Sequence, residues 1–473
     1  MQDVFRYIDE NQNNYLEQLF VFLRQPSIST QNLGVKECAD LLMNILKDSG
    51  AEAEIFQTPQ HPIVIGHIRN KAASRTLLVY GHYDVQPPEP LDLWETPPFD
   101  PTIRNGRIYG RGVADNKGQL FSHIKAAEAI IRVRGKTSSN ITFLFEGEEE
   151  MGSPNLGPFI QDHKDLLKAD ACLVSDGSRH SSGRPTIFCG LKGILYLEIT
   201  AKGANRDLHS MHAAMIPSPV WKLVHGLASL KAENGTVLIP GFYDRVRKPT
   251  ETELQVIHDI PNLAADVRQM LKVKTFLGGD DAYYYNMFFS PTCNIAGIEA
   301  GYTGLGAKTV LPCKAFAKID FRLVPDQNPD EIYGQIKHYF ETQGLVDIEI
   351  IKHSELMPSR TPIDHPYVQL IKTAINYATG EEPIIFPSMG GSGPDYLFTG
   401  VLGLPSVWLP LSPHDSNNHA PNENIFIEDL FKGMKIGSTI IEWMGEKSNY
   451  MTKKRGDVKK LKNSKDELKR ENK

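Results

Sequence analysis

Cysteine is scarce in this chain and is not organised. Five cysteines (Cys38, Cys172, Cys189, Cys293 and Cys313) are scattered over 473 residues with no Cys-x-x-Cys pair. That excludes a disulfide framework and a thiolate-built metal site, and it sets the expectation of reduced thiols in the cytoplasm. Long apolar runs are also missing. No stretch approaches the ~18 consecutive apolar residues of a membrane helix. Residues 1–22 include Asp3, Glu10 and Glu17 and lack the unbroken apolar core of a signal peptide. Positive charge is not in excess: 51 Lys and Arg stand against 57 Asp and Glu, for a net charge of −6. That balance argues against a nucleic-acid or membrane partner. Residues 446–473 are the local exception, lysine-rich with few apolar side chains, and read as a basic tail, disordered or loosely helical.

What is present is the composition of a globular protein, 41% hydrophobic and 23% charged, on a chain too long for one core. Residues 77–86 organise the reading. Leu77, Leu78, Val79 and Tyr80 run into Gly81, His82, one spacer and Asp84. A continuous apolar block is the pattern of a buried parallel strand, so the polar pair falls just past its C-terminal end, where open α/β sheets bind ligands. One spacer lets Asp84 reach back and orient the His82 ring.

The same arrangement recurs along the chain. Asp115 precedes a helix predicted over 119–133, where it serves equally well as an N-cap. A strand over 141–145 is followed by Glu146, Glu148, Glu149 and Glu150, carboxylates that repel one another unless a cation compensates them. A strand over 171–175 delivers Asp176, and an apolar strand over 405–411 leads to a loop carrying His414 and His419. Residues 188–360 differ: alternating strands near 194–200, 292–298, 315–323 and 346–352, helices over 220–230 and 329–342, an irregular stretch over 240–277, and Asp207 to Ser210 in a loop. They read as an inserted α+β domain. The organisation expected is 1–187 with 361–445 as one domain, 188–360 as a second, and 446–473 as the tail.

The candidate ligands are His82, Asp115, Glu149 or Glu150, Asp176 and His419. Imidazoles and carboxylates without thiolate suit zinc, manganese or cobalt. Five candidates and a spare glutamate suggest two ions sharing a carboxylate. Ions about 3.5–4 Å apart can activate a water and polarise a carbonyl, and an adjacent glutamate can move the proton to a leaving amine.

The motifs Gly81-His-Tyr-Asp-Val85, Tyr109-Gly-Arg-Gly-Val-Ala-Asp-Asn-Lys-Gly118, Glu146-Gly-Glu-Glu-Glu-Met-Gly-Ser153, Ser175-Asp-Gly177 and His419, in that order, resemble the M20 metallopeptidase family, its dipeptidase and carnosinase-like branch above all. The resemblance spans about residues 10–445. It implies an α/β catalytic domain with a mixed, largely parallel sheet and helices on both faces, plus an inserted α+β lid/dimerisation domain. It also implies that His82 and Asp176 bind one metal, Glu150 and His419 the other, and that Asp115 bridges them across a cis Asp115–Asn116 peptide. Glu149 becomes the general base and Asp84 the residue orienting His82. His209 is implied to act in trans across a homodimer, with Thr309, Arg322 and Ser392 on the substrate. The implied activity is hydrolysis of dipeptides or short peptides by two divalent ions, zinc by preference. The alternative is removal of acyl groups from N-acyl amino acids at the same site. Asn116 departs from the family's commoner aspartate.

Overall fold

The computed structural model describes residues 1–446; the basic tail expected from the sequence lies, beyond Glu446, outside the described residues. The chain opens with α1 (Gln2–Glu10) and α2 (Gln12–Arg24). Asn11 divides them, its side-chain amide donating to the Tyr7 carbonyl at 2.8 Å. There follow α3 (Val35–Asp48), β1 (Glu52–Phe56), β2 (Ile63–Ile68), β3 (Thr76–His82), β4 (Thr102–Arg104), β5 (Arg107–Tyr109), α4 (Lys117–Arg134), β6 (Asn140–Glu146), α5 (Leu156–Asp162), β7 (Ala171–Val174) and β8 (Thr186–Phe188). The middle of the chain holds β9 (Gly193–Lys202), β10 (Leu208–His209), α6 (Pro219–Leu230), α7 (Glu251–Asp259), α8 (Ala264–Met270), α9 (Tyr283–Phe289), β11 (Asn294–Ala300), β12 (Val310–Leu311), β13 (Lys314–Leu323), α10 (Pro329–Thr342) and β14 (Glu349–Leu356). It closes with α11 (Pro366–Thr379), β15 (Ile384–Phe386), β16 (Ser406–Trp408), β17 (Asn424–Phe426) and α12 (Ile427–Gly445).

These elements form two compact units. One comprises Met1–Ile187, Pro362–Ile384 and the stretch from Leu404 onward; the other comprises Phe188–Thr361 and Ile385–Gly403. Residues 361–445 are expected wholly in the first domain, but Ile385–Gly403 groups with the second unit. The cause is a set of backbone bonds that local pattern cannot reveal. The Lys192 N–H donates to the carbonyls of Met389 and Gly391, and the Met389 N–H to that of Gly190 at 2.7 Å.

In the first unit the chain builds most of an eight-stranded mixed sheet, ordered β1-β2-β6-β3-β7-β16-β8-β15. The β1–β2 and β2–β6 pairs are antiparallel; β3 runs parallel to both β6 and β7, and β7 parallel to β16. The parallel strands read as continuous apolar runs because they are buried on both faces. Helix α4, buried along most of its length, packs against β3, α1, α2 and α12. Register aligns His82 with Glu146 and Tyr80 with Val174, so β3, β6 and β7 end side by side. A small antiparallel sheet, β17-β5-β4, stands apart from it.

The second unit is built on an antiparallel sheet, β11-β13-β9-β14. Strands β9 and β13 alternate buried and less buried positions, the period-2 signature of a sheet covered on one face. Leu195, Leu197, Ile199, Ile319 and Phe321 form that face's core with Leu223 of α6 and Ile336 and Phe340 of α10. Leu208 and His209, expected in a loop, form the two-residue strand β10, paired with β12. Among the described residues, no helix is long and apolar enough to cross a membrane.

Candidate metal centre and active site

Three strand ends and two loops deliver the polar residues of the first unit. His82 is the last residue of β3, and Gly81 before it leaves the room the site needs. A Cβ there would stand 2.8 Å from Asn116 Oδ1 and 3.1 Å from Leu120 Cβ. Asp115 precedes α4, across a cis Asp115–Asn116 peptide. Glu149 and Glu150 follow β6, Asp176 follows β7, and His419 lies on the loop before β17.

Five of the predicted residues converge as two triads of ligating atoms: His82, Asp115 and Asp176, and Asp115, Glu150 and His419. Asp115 belongs to both. Its Oδ1 lies 3.0 Å from His82 Nε2 and its Oδ2 lies 3.0 Å from His419 Nε2. Asp176 Oδ2 is 3.7 Å from His82 Nε2, and Glu150 Oε2 is 3.3 Å from His419 Nε2. The His82 side chain is 1% exposed and that of His419 55%, so the centre opens to solvent on the His419 side.

Asp84 is fully buried. The His82 Nδ1–H has its nearer acceptor in the Asp84 backbone carbonyl, at 3.1 Å, with the carboxylate Oδ1 at 3.4 Å. The Asp84 carboxylate itself accepts the backbone N–H groups of Glu149 (3.2 Å) and Glu150 (3.1 Å). It thus braces the glutamate loop as well as the histidine.

The electrostatics ask for a cation. Burial pushes the Glu150 carboxyl up to about 8, with the Asp115 charge adding to it. Burial likewise lifts Glu149 to about 7, opposed by His82 and reinforced by Asp176 and Asp115. Burial pulls His82 down, but the carboxylates of Asp115, Asp176 and Asp84 outweigh it and hold the ring well above its usual value. Asp115 holds His419 up, to about 9, against partial burial and with help from Glu150. The Asp115 carboxyl is opposed by burial, yet His419 and His82 hold it below its usual value. His82 Nε2 and Glu150 Oε1 are buried and make no hydrogen bond. Buried lone pairs left without a hydrogen-bond donor fit a divalent cation, and the nitrogen–oxygen donor set agrees.

The other predicted residues belong to the second unit and fall into two pairs. Thr309 Oγ1 is 3.4 Å from His209 Nε2, and Arg322 Nη1 donates to Ser392 Oγ at 2.7 Å. Two residues near the centre escaped the sequence reading. Gln86 donates its amide to Glu150 Oε2 at 2.9 Å. Glu423, fully buried, accepts the backbone N–H groups of Gly112, Ala114 and Asp115. The available signal for Glu423 was a carboxylate just past His419 in a loop already marked as functional.

Comparison with known proteins agrees with the geometry. The model of peptidase family M20/M25/M40 matches residues 78–443. The Cys-Gly metallodipeptidase dug1 of Schizosaccharomyces pombe is 30% identical, over 93% of this chain and 98% of its own. The human Beta-Ala-His dipeptidase is 28% identical, over 92% of this chain and 91% of its own. Among solved structures, the M20 family metallo-carboxypeptidase Sso-CP2 of Sulfolobus solfataricus superposes with a TM-score of 0.85 at 36% identity, covering 91% of this chain and 99% of that one. The chain belongs to peptidase family M20/M25/M40. It is a metal-dependent peptidase, and its carboxylate–imidazole centre brings together groups that could hold a divalent ion.

Proposed function

We propose that the protein is a two-metal dipeptidase acting on small peptides with a free C-terminal carboxylate. The observation that carries this reading is the shared Asp115, whose two oxygens face two different imidazoles. His82, Asp115 and Asp176 would hold one ion, and Asp115, Glu150 and His419 the second. Zinc suits the donors best, manganese or cobalt less well. Bound ions supply a Lewis acid for the scissile carbonyl and lower the pKa of the attacking water.

The chain's own groups do the rest. Glu149 lies outside both triads while its carboxylate feels the charges of His82, Asp176 and Asp115. It takes the proton from water as the water oxygen bonds to the carbonyl carbon, and passes it to the nitrogen as the C–N bond breaks. Asp84 braces Glu149 through the backbone. His209 Nδ1 accepts the Met211 N–H at 3.1 Å, so the neutral ring carries its hydrogen on Nε2. That tautomer donates to a developing oxyanion, with Thr309 beside it; in a homodimer, His209 of one subunit serves the site of its partner. Arg322, whose side-chain partner is the neutral hydroxyl of Ser392, reads the substrate carboxylate. The relatives named for Cys-Gly and Beta-Ala-His support a dipeptide substrate. Five cysteines free of disulfides support a cytoplasmic setting.

The test is a substrate panel assayed on chelator-stripped protein and again after zinc or manganese is returned. It holds free dipeptides, their C-terminal amides, and N-acetyl and N-succinyl amino acids. Metal-restored turnover of free dipeptides is expected, with the amides about tenfold to a hundredfold poorer for want of the Arg322 partner. Turnover of acyl amino acids alone would end the dipeptide reading.

A further inference from the structure

We infer that Glu423 is a positioning residue for one half of the metal centre, the triad of Asp115, Glu150 and His419; this rests on the two-ion reading above. Its carboxylate accepts four hydrogen bonds. Oε1 takes the N–H groups of Ala114 (2.8 Å) and Asp115 (2.9 Å). Oε2 takes the N–H of Gly112 (2.9 Å) and Arg111 Nη1 (2.8 Å). Its backbone carbonyl takes the Gly110 N–H at 3.0 Å. The loop from β5 to Asp115 is therefore wrapped around one side chain, which satisfies buried N–H groups that no strand or helix satisfies.

The same residue closes the loop that carries His419. Strand β17 begins at the next position and pairs with β5, from which the Asp115 loop departs. Within the loop Asn417, His419 and Asn422 all have positive φ, and the Asn424 N–H donates to the Ser416 carbonyl at 2.8 Å. The backbones of Asp115 and His419 thus hang from one anchor. His82 and Asp176 do not share it. They stand at the ends of β3 and β7, two parallel strands in register. A disturbance at Glu423 falls on both Asp115 and His419 of one triad, but on Asp115 alone of the other.

The experiment is a metal titration of stripped wild-type protein and the near-isosteric Glu423→Gln variant. Zinc is titrated against a chromophoric chelator, and cobalt is followed by its visible absorption. Losing such a support typically weakens a metal about 10–100-fold, so one ion should weaken by that factor and the other stay within about threefold of wild type. The kcat of the variant should fall at limiting zinc and recover as zinc is raised, while the metal-free Tm stays near wild type. Glu423→Asp, which keeps the charge but shortens the reach, should give the same split in milder form. Two ions bound as in wild type with kcat unchanged would overturn the inference. So would equal weakening of both ions with a lowered metal-free Tm, or failure of both variants to fold, since either makes Glu423 a general scaffold. A wild-type chain that binds one ion removes the two-ion reading itself, an outcome distinct from these.

Discussion

Asp84 and Glu149 are 65 residues apart in the chain and are joined by a hydrogen bond from the Glu149 N–H to an Asp84 oxygen. That bond fixes where Glu149 starts, while Glu150, one residue on, joins a ligand triad. On the proposed mechanism these neighbouring glutamates have separate duties, and substitution should separate them. Glu149→Ala should lower kcat by about 10²–10⁴, the usual worth of a positioned general base. Metal binding, measured by elemental analysis after gel filtration, should remain at the wild-type ratio. Wild-type turnover in that variant would remove Glu149 from the mechanism, and loss of metal would make it a ligand instead.

Helix α4 links the site to the core. Its first turn follows Asp115, and further along, His123 Nε2 meets Ser175 Oγ at 2.6 Å, next to Asp176. The ring is fully buried, with Gly437 of α12 close against it, and burial presses its pKa down to about 4 from 6.5. Between those values the unfolded chain binds a proton that the native state refuses. Stability therefore rises with pH across the window and is lost as the solution is acidified from 6.5 toward 4, by at most about 3 kcal/mol. Melting temperatures at pH 7.5 and pH 5 should converge in His123→Gln, which keeps a polar group for Ser175 but does not titrate. Equal acid sensitivity in wild type and variant would show that the burden lies on other groups.

At the scale of the whole molecule, Glu149 and His209 belong to different compact units. If His209 serves the neighbouring subunit, Glu149→Ala and His209→Ala chains, each nearly inactive alone, should complement when mixed and allowed to exchange. Random reassortment in a two-fold dimer makes half the dimers mixed, each with one intact site, or about a quarter of wild-type activity. No recovery on mixing, with exchange verified by a tagged chain, would place His209 in its own subunit's site or outside catalysis.

The sequence by itself determined the kinds of residue and their order along the chain. An apolar run ending in His82, the glutamates after Phe145, Asp176 after a buried strand and His419 after another were all legible, because strand burial and donor chemistry are written locally. Only the tertiary structure decided which atoms meet. Asp115 alone reads as well as a helix cap as a ligand, until folding turns its two oxygens toward histidines from distant segments. Residues 385–403 look like part of the first domain until the glycine-rich turn bonds to Lys192. Leu208 and His209 become a strand because their partners Val310 and Leu311 arrive from far along the chain. The place of Glu423 just past His419 hints that it matters but not what it does, since the backbone N–H groups it satisfies lie more than 300 residues earlier. Periodicity reports what a segment buries; long-range hydrogen bonds, set only when the chain closes, report what it holds in place.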